Sequence, residues 1–86
     1  MSAKTILVID DSPANLKLIR VLLTAEGYRI LTAPNAESAL TLIATALPDL
    51  ILMDLQLPGM DGLTLTRQLK SEPTTRGIPV IAITGF

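Results

Sequence analysis

Asp10 and Asp11 follow the apolar run Ile6 to Ile9, and Asp54 follows a second one, Leu50 to Met53. Each run has the length and character of a strand buried on both faces. If the two strands lie side by side and parallel, all three carboxylates gather at one end of the sheet. Carboxylates that close repel one another unless a cation sits between them. The pattern is that of a divalent-metal pocket beside a reactive aspartate. An acid placed directly after four apolar residues makes Asp54 the candidate nucleophile, a carboxylate that can accept a phosphoryl group as an aspartyl-phosphate. The plainer alternative for Asp54 is an N-cap or loop acid. Asp11 has the same kind of alternative, since with Ser12 it could simply cap the helix that follows. Two or three acids and no histidine suit Mg²⁺ better than zinc. Mg²⁺ takes one or two protein carboxylates, keeps several waters, and draws its other ligands from phosphate oxygens. The backbone carbonyl of Gln56 is a further candidate oxygen ligand. Thr84 ends the last apolar run beside Gly85. Its hydroxyl could hydrogen-bond a phosphoryl oxygen, with Gly85 leaving room and offering its N–H. Alone, Thr84 reads equally as an ordinary β-branched strand residue.

These groups need a scaffold, and strand and helix patterns alternate along the chain. Lys4 to Asp10 reads as a first strand. Ser12 suits an N-cap, Pro13 the first helical position, and Gly27 the position just past the helix end. Leu16, Ile19, Leu22 and Leu23 recur at helical spacing between them. Tyr28 to Ala33 is a second strand, and Arg29 within it suits a sheet edge. Asn35 caps a second helix with an apolar stripe of Ala36, Ala39, Leu40, Ile43, Ala44 and Leu47, ended by Pro48. Leu50 to Asp54 is a third strand. The turn-rich segment Leu57 to Gly62 leads to a third helix over Gly62 to Lys70, capped by Asp61 and with Leu65 and Leu69 on its apolar face. Ser71 to Gly77 is polar loop with room for a helical turn, and Pro79 to Thr84 is a fourth strand. The order βαβαβαβ with apolar strands predicts a parallel α/β sheet with right-handed crossovers. Ligands bind beyond the carboxyl ends of such strands, where Asp10, Asp11, Asp54 and Thr84 stand.

The chain of 86 residues fits one domain, and its 49% hydrophobic content supplies a core. Seven Lys and Arg against eight Asp and Glu, with no basic run, offer nucleic acid no footing. No run is long enough for a membrane span or a signal peptide. The absence of cysteine fits a cytoplasmic protein, and the absence of histidine removes any imidazole ligand or base. The first strand-to-helix loop lacks a Gly-rich phosphate cradle, which speaks against a nucleotide or flavin site. An aspartate-nucleophile phosphatase would resemble Asp-x-Asp after the first strand, whereas this chain has Asp10-Asp11-Ser12-Pro13.

Leu7-Val8-Ile9-Asp10-Asp11, Leu52 through Gly62, and Pro79-Val80-Ile81-Ala82-Ile83-Thr84-Gly85 together resemble the receiver domain of two-component response regulators. The resemblance spans essentially all 86 residues. It implies a flavodoxin-like fold with helices on both faces and strand order 2-1-3-4 for the four strands present. It also implies that Asp54 accepts a phosphoryl group from a histidine kinase or phosphotransfer protein. Asp10, Asp11, Asp54 and the Gln56 carbonyl would hold Mg²⁺, with Thr84 as the switch hydroxyl and Gly85 as a backbone donor. Catalysis would then be positioning and charge neutralisation rather than that of a dedicated enzyme.

Such a receiver would continue past Phe86 with a fourth helix, a fifth strand and a fifth helix. These would bring a lysine that pairs with the phosphoryl group and an aromatic partner for Thr84. By this reading residues 1–86 are a receiver cut after its fourth strand, and neither Lys70 nor Tyr28 stands where it could substitute. Two expectations follow. Phosphorylation of Asp54 should be weak, and the chain should self-associate as a two-fold dimer through the bare edge of strand four and an uncovered sheet face. The other reading the residues leave open is a fragment that acts only as a self-associating structural module.

Overall fold

The computed structural model describes residues 3–54, 57, 59 and 61–83. Among them run β1 (Thr5–Ile9), α1 (Pro13–Ala25), β2 (Arg29–Ala33), α2 (Ala36–Thr45), β3 (Leu50–Asp54), α3 (Gly62–Ser71) and β4 (Val80–Ile83). All four strands are parallel, in the order β2-β1-β3-β4. The expected topology is therefore present, with Arg29 on the edge strand β2.

Three side chains start the three helices. Ser12 Oγ accepts the Asn15 N–H, Asn35 Oδ1 the Ser38 N–H, and Asp61 Oδ1 the Thr64 N–H. Each satisfies one of the donors that a helix start leaves without an intrahelical partner. Gly27, with φ +94°, takes the left-handed conformation past the end of α1 that an L side chain resists. Ser12 is the cap of α1, so Asp11 is not needed for that task.

The alternation of strand side chains divides the core into two layers. Leu7, Ile9, Ile51 and Met53 face one way and pack with Ala36, Ala39 and Ile43 of α2 and Leu65 and Leu69 of α3. Removing each Leu or Ile side chain there from water contributes about 1.5–3 kcal/mol. Ile6, Val8 and Leu52 face the other way, where α1 is the helix of the described chain that lies over the sheet. No residue of α1 is fully buried.

One expectation needs correction. Leu47 was assigned to the apolar stripe of α2 but is 55% exposed, and Ala44 is exposed as well. The helix stops at Thr45, with Ala46 already extended at φ −152°, one residue ahead of Leu47, the position that Pro48 restricts. Leu22 shares the helical apolar spacing of α1, yet it is 57% exposed, because α1 alone is too narrow to close that face. The fourth strand stands at the sheet edge, as the strand order 2-1-3-4 requires, and Ile81 there is 51% exposed. The segment 72–77, polar with room for a helical turn, folds as a hydrogen-bonded turn. Thr75 and Arg76 N–H groups bond the Glu72 carbonyl, and Lys70 Nζ clamps the carbonyls of Arg76 and Ile78 at 3.1 and 2.8 Å.

Candidate functional site

Strand register brings the acids together. Ile9 pairs with Met53 across β1 and β3, so Asp10 and Asp54 come level at the carboxyl ends of adjacent strands. The Asp10 N–H extends the β1–β2 ladder by one bond, to the Ala33 carbonyl at 3.1 Å, which fixes where the chain leaves the sheet. Asp11 follows at the turn into α1.

One carboxylate oxygen from each of Asp10, Asp11 and Asp54 lies within 4.8 Å of the other two. Asp10 and Asp54 are buried, at 4% and 8% exposure, whereas Asp11 is open to solvent. Two unit charges at this separation near a protein surface repel by roughly 3 kcal/mol. A cluster of three is therefore tolerable only with compensation. The donor set is all oxygen, hard and anionic, with an open side, which matches Mg²⁺ and not a thiophilic metal. Oxygens opposite each other across an octahedral Mg²⁺ are about 4.2 Å apart. A spread of up to 4.8 Å leaves room for a water to take the place of one carboxylate.

Asp10 is held by two neutral donors. Its Oδ1 accepts the Ser12 N–H at 2.9 Å and its Oδ2 accepts the Asn15 side-chain amide at 3.3 Å. Reasoning from sequence missed Asn15. The available signal was its position, five residues after Asp10 and three after the N-cap, where a side chain points back over the helix start. Gln56, Thr84 and Gly85, the other residues singled out for this site, lie outside the described residues. Lys70 is engaged with the 72–78 segment through its two carbonyl contacts, as expected of a residue with no part in the acid cluster.

The sequence pattern of the response regulator receiver domain matches residues 6–86. The chain is 54% identical over 86 residues to the response regulator PleD of Caulobacter vibrioides, covering 100% of this chain and 19% of that protein. It is 45% identical over 83 residues to the polar-differentiation response regulator DivK of Brucella anthropi, covering 96% of this chain and 68% of that one. Thus it spans about a fifth of the length of one curated relative and about two thirds of the other. Among solved structures, the N-terminal domain of a response regulator receiver protein from Methanoculleus marisnigri superposes with a TM-score of 0.90 at 40% identity, over 94% of this chain and 66% of that one. The response regulator TrrA of Thermotoga maritima, solved in complex with Mg²⁺-BeF, superposes with a TM-score of 0.87 at 34% identity, over 96% of this chain and 70% of that one. With its fold, its acid cluster and its sequence pattern all in agreement, the chain belongs to the receiver domains of two-component response regulators.

Proposed function

We propose that residues 1–86 act as a phosphoacceptor unit in which Asp54 receives the phosphoryl group from a histidine kinase or phosphotransfer protein. The observation that carries this reading is the meeting of three carboxylates at the carboxyl ends of β1 and β3. Asp10, Asp11 and Asp54 would hold Mg²⁺, with the Gln56 carbonyl as a fourth ligand. When bound, the ion supplies positive charge that offsets the carboxylates and lines up the phosphoryl oxygens. An oxygen of Asp54 forms the new bond to phosphorus as the bond from phosphorus to the donor nitrogen breaks, and the donor's imidazole keeps that electron pair. Asp10, tied at both oxygens, keeps its place while this happens. Thr84 would turn its hydroxyl toward the phosphoryl group and Gly85 would offer its N–H. The similarity to TrrA, solved with Mg²⁺-BeF, supports the choice of metal. A cytoplasmic setting agrees with this reading, and no helix among the described residues is long and apolar enough to cross a membrane.

Incubation with Mg²⁺ and a small phosphodonor should add one phosphoryl mass, absent from Asp54→Asn. An intact chain with no adduct, or an Asp54→Asn variant that keeps it, would refute the reading.

A second reading rests on a different observation. A groove of about 600 Å³ between α1 and the sheet is lined by Leu18, Ile19, Leu22, Leu23, Leu52 and Ile83 and by one polar residue, Asn15. It adjoins the edge strand β4 with its half-exposed Ile81. This apolar surface fits a second copy of the chain, since a two-fold operator sets one patch against itself. Sedimentation should show a dimer that dissociates on dilution; a monomer at millimolar concentration rules it out.

A further inference from the structure

The N-cap of α1 is wired in an unusual sense. In the common capping box, the residue three positions after the cap is Glu or Gln, and its side chain accepts the N–H of the cap residue. Here the cap residue is Ser12, and its N–H goes instead to Asp10 Oδ1. The residue three positions on is Asn15, whose amide is turned to the same carboxylate and donates to Oδ2. A carboxylate only accepts hydrogen bonds, so the Asn15 group that faces it is the NH₂. The helix does not depend on this contact. The bond to Ser12 Oγ that starts α1 comes from the Asn15 backbone N–H, at 3.3 Å, and survives any change of the side chain.

We propose that Asn15 is a positioning residue for the acid cluster, holding the Asp10 carboxylate in the orientation from which it meets the cation. This rests on the reading that the cluster binds Mg²⁺. Asp10 stands within a group of three like charges and would swing away from Asp54 and Asp11 unless restrained. Two neutral donors, one on each oxygen, oppose that swing. Neutrality is the point of using an amide. A lysine or arginine at this position would restrain Asp10 equally well but would also cancel the charge that attracts the ion. An amide orients the ligand and leaves its charge intact. Partners of this kind, hydrogen-bonded to a ligating group, typically govern metal affinity by about 10–100-fold.

The test uses the 86-residue chain and the variants Asn15→Ala, Asn15→Leu and Asn15→Gln. Mg²⁺ affinity is read by calorimetric titration, and exchange of the Ser12 amide proton is read in the metal-free chain. Asn15→Ala and Asn15→Leu should each bind Mg²⁺ about tenfold more weakly. Both should exchange the Ser12 proton faster and should melt with the intact chain in metal-free buffer. Asn15→Gln, which keeps a donor on a longer arm, should recover part of the affinity. Variants that bind within twofold of the intact chain overturn the proposal, as does a loss confined to Asn15→Ala, which would indicate lost volume rather than a lost donor. Failure of the metal reading looks different: the intact chain itself would not bind Mg²⁺, and the positioning role would fall with it.

Discussion

The two faces of the sheet are built from the same side chains and end in different states. Beneath α2 and α3, Leu7, Ile9, Ile51 and Met53 are closed off from water. Beneath α1, Ile6 and Val8 are buried, but Leu52 and Ile83 open into a groove, and α1 shows Leu18, Val21 and Leu22 to solvent. Two helices close a four-stranded sheet and one does not. Hydrophobic character is therefore a poor guide to burial here, and the number of layers over a strand decides the matter. The site belongs to both faces. Asp10 and Asp54 share the orientation of Val8 and Leu52, toward the open side, while their strands are fixed from the closed side.

The largest difference between the faces should be in stability. For 86 residues the net stability is roughly 4–13 kcal/mol. Leu7→Ala or Ile51→Ala leaves a cavity in the closed layer and should cost about 2–5 kcal/mol, enough to unfold a marginal chain. Leu22→Ala on the open side should stay within about 0.5 kcal/mol. Urea titration of the three variants decides it, and equal costs on both faces would break the comparison.

Metal binding should favour the open face. At a Mg²⁺ concentration 100 times its dissociation constant, the folded state should gain about 2.7 kcal/mol. Hydrogen exchange should slow most at the end of β1 and in the first turn of α1, where Ser12 and Asn15 hold Asp10. Asp54→Asn should lose most of this gain. Protection that rises equally over α2 and α3 would mean that the ion reports on the whole fold, and the distinction between faces would lose its bearing on function.

The closed face was the more legible of the two in the sequence. Its positions follow from strand alternation and from the i, i+3, i+7 spacing of Ala36, Ala39 and Ile43, both of which are local rules. The caps Ser12, Asn35 and Asp61 were legible for the same reason, as was the gathering of the three acids once a parallel order was adopted. The exposure of Leu22 was not, because it depends on which helices stand over which strands, whereas the bare edge that exposes Ile81 follows from the strand order. Leu47 went astray because a periodic stripe does not mark its own end; the backbone restriction ahead of Pro48 does. Asn15 carried no signal of its own beyond its position, although its contact with Asp10 needs only the first turn of α1. Thr75 escaped for a tertiary reason. It is buried, and its hydroxyl donates to the Leu69 carbonyl at the end of α3, a bond that exists only once the 72–77 turn folds back.

The smallest expected effect tests whether the closed face can be loosened through a single cap. Asp61 starts α3, which carries Leu65 and Leu69 into the closed layer. The backbone N–H of Thr64 donates to its carboxylate and holds its pKa below the ordinary aspartate value, with smaller help from the Thr64 side chain, the Leu63 N–H and the charge of Arg67. A carboxyl whose pKa is lower folded than unfolded stabilises the fold when ionised. Its contribution is complete above the unfolded value, about 3.9, and disappears as pH falls through the lower folded value. Asp61→Asn keeps an acceptor at the cap but does not titrate. The stability difference between the two proteins should be constant at pH 5 and above, shrink below pH 4, and be reduced by salt because the site is open to solvent. Urea titrations at pH 6 and pH 3 measure it. A difference that is the same at both would show that Asp61 holds α3 by geometry alone, leaving the closed face indifferent to its charge.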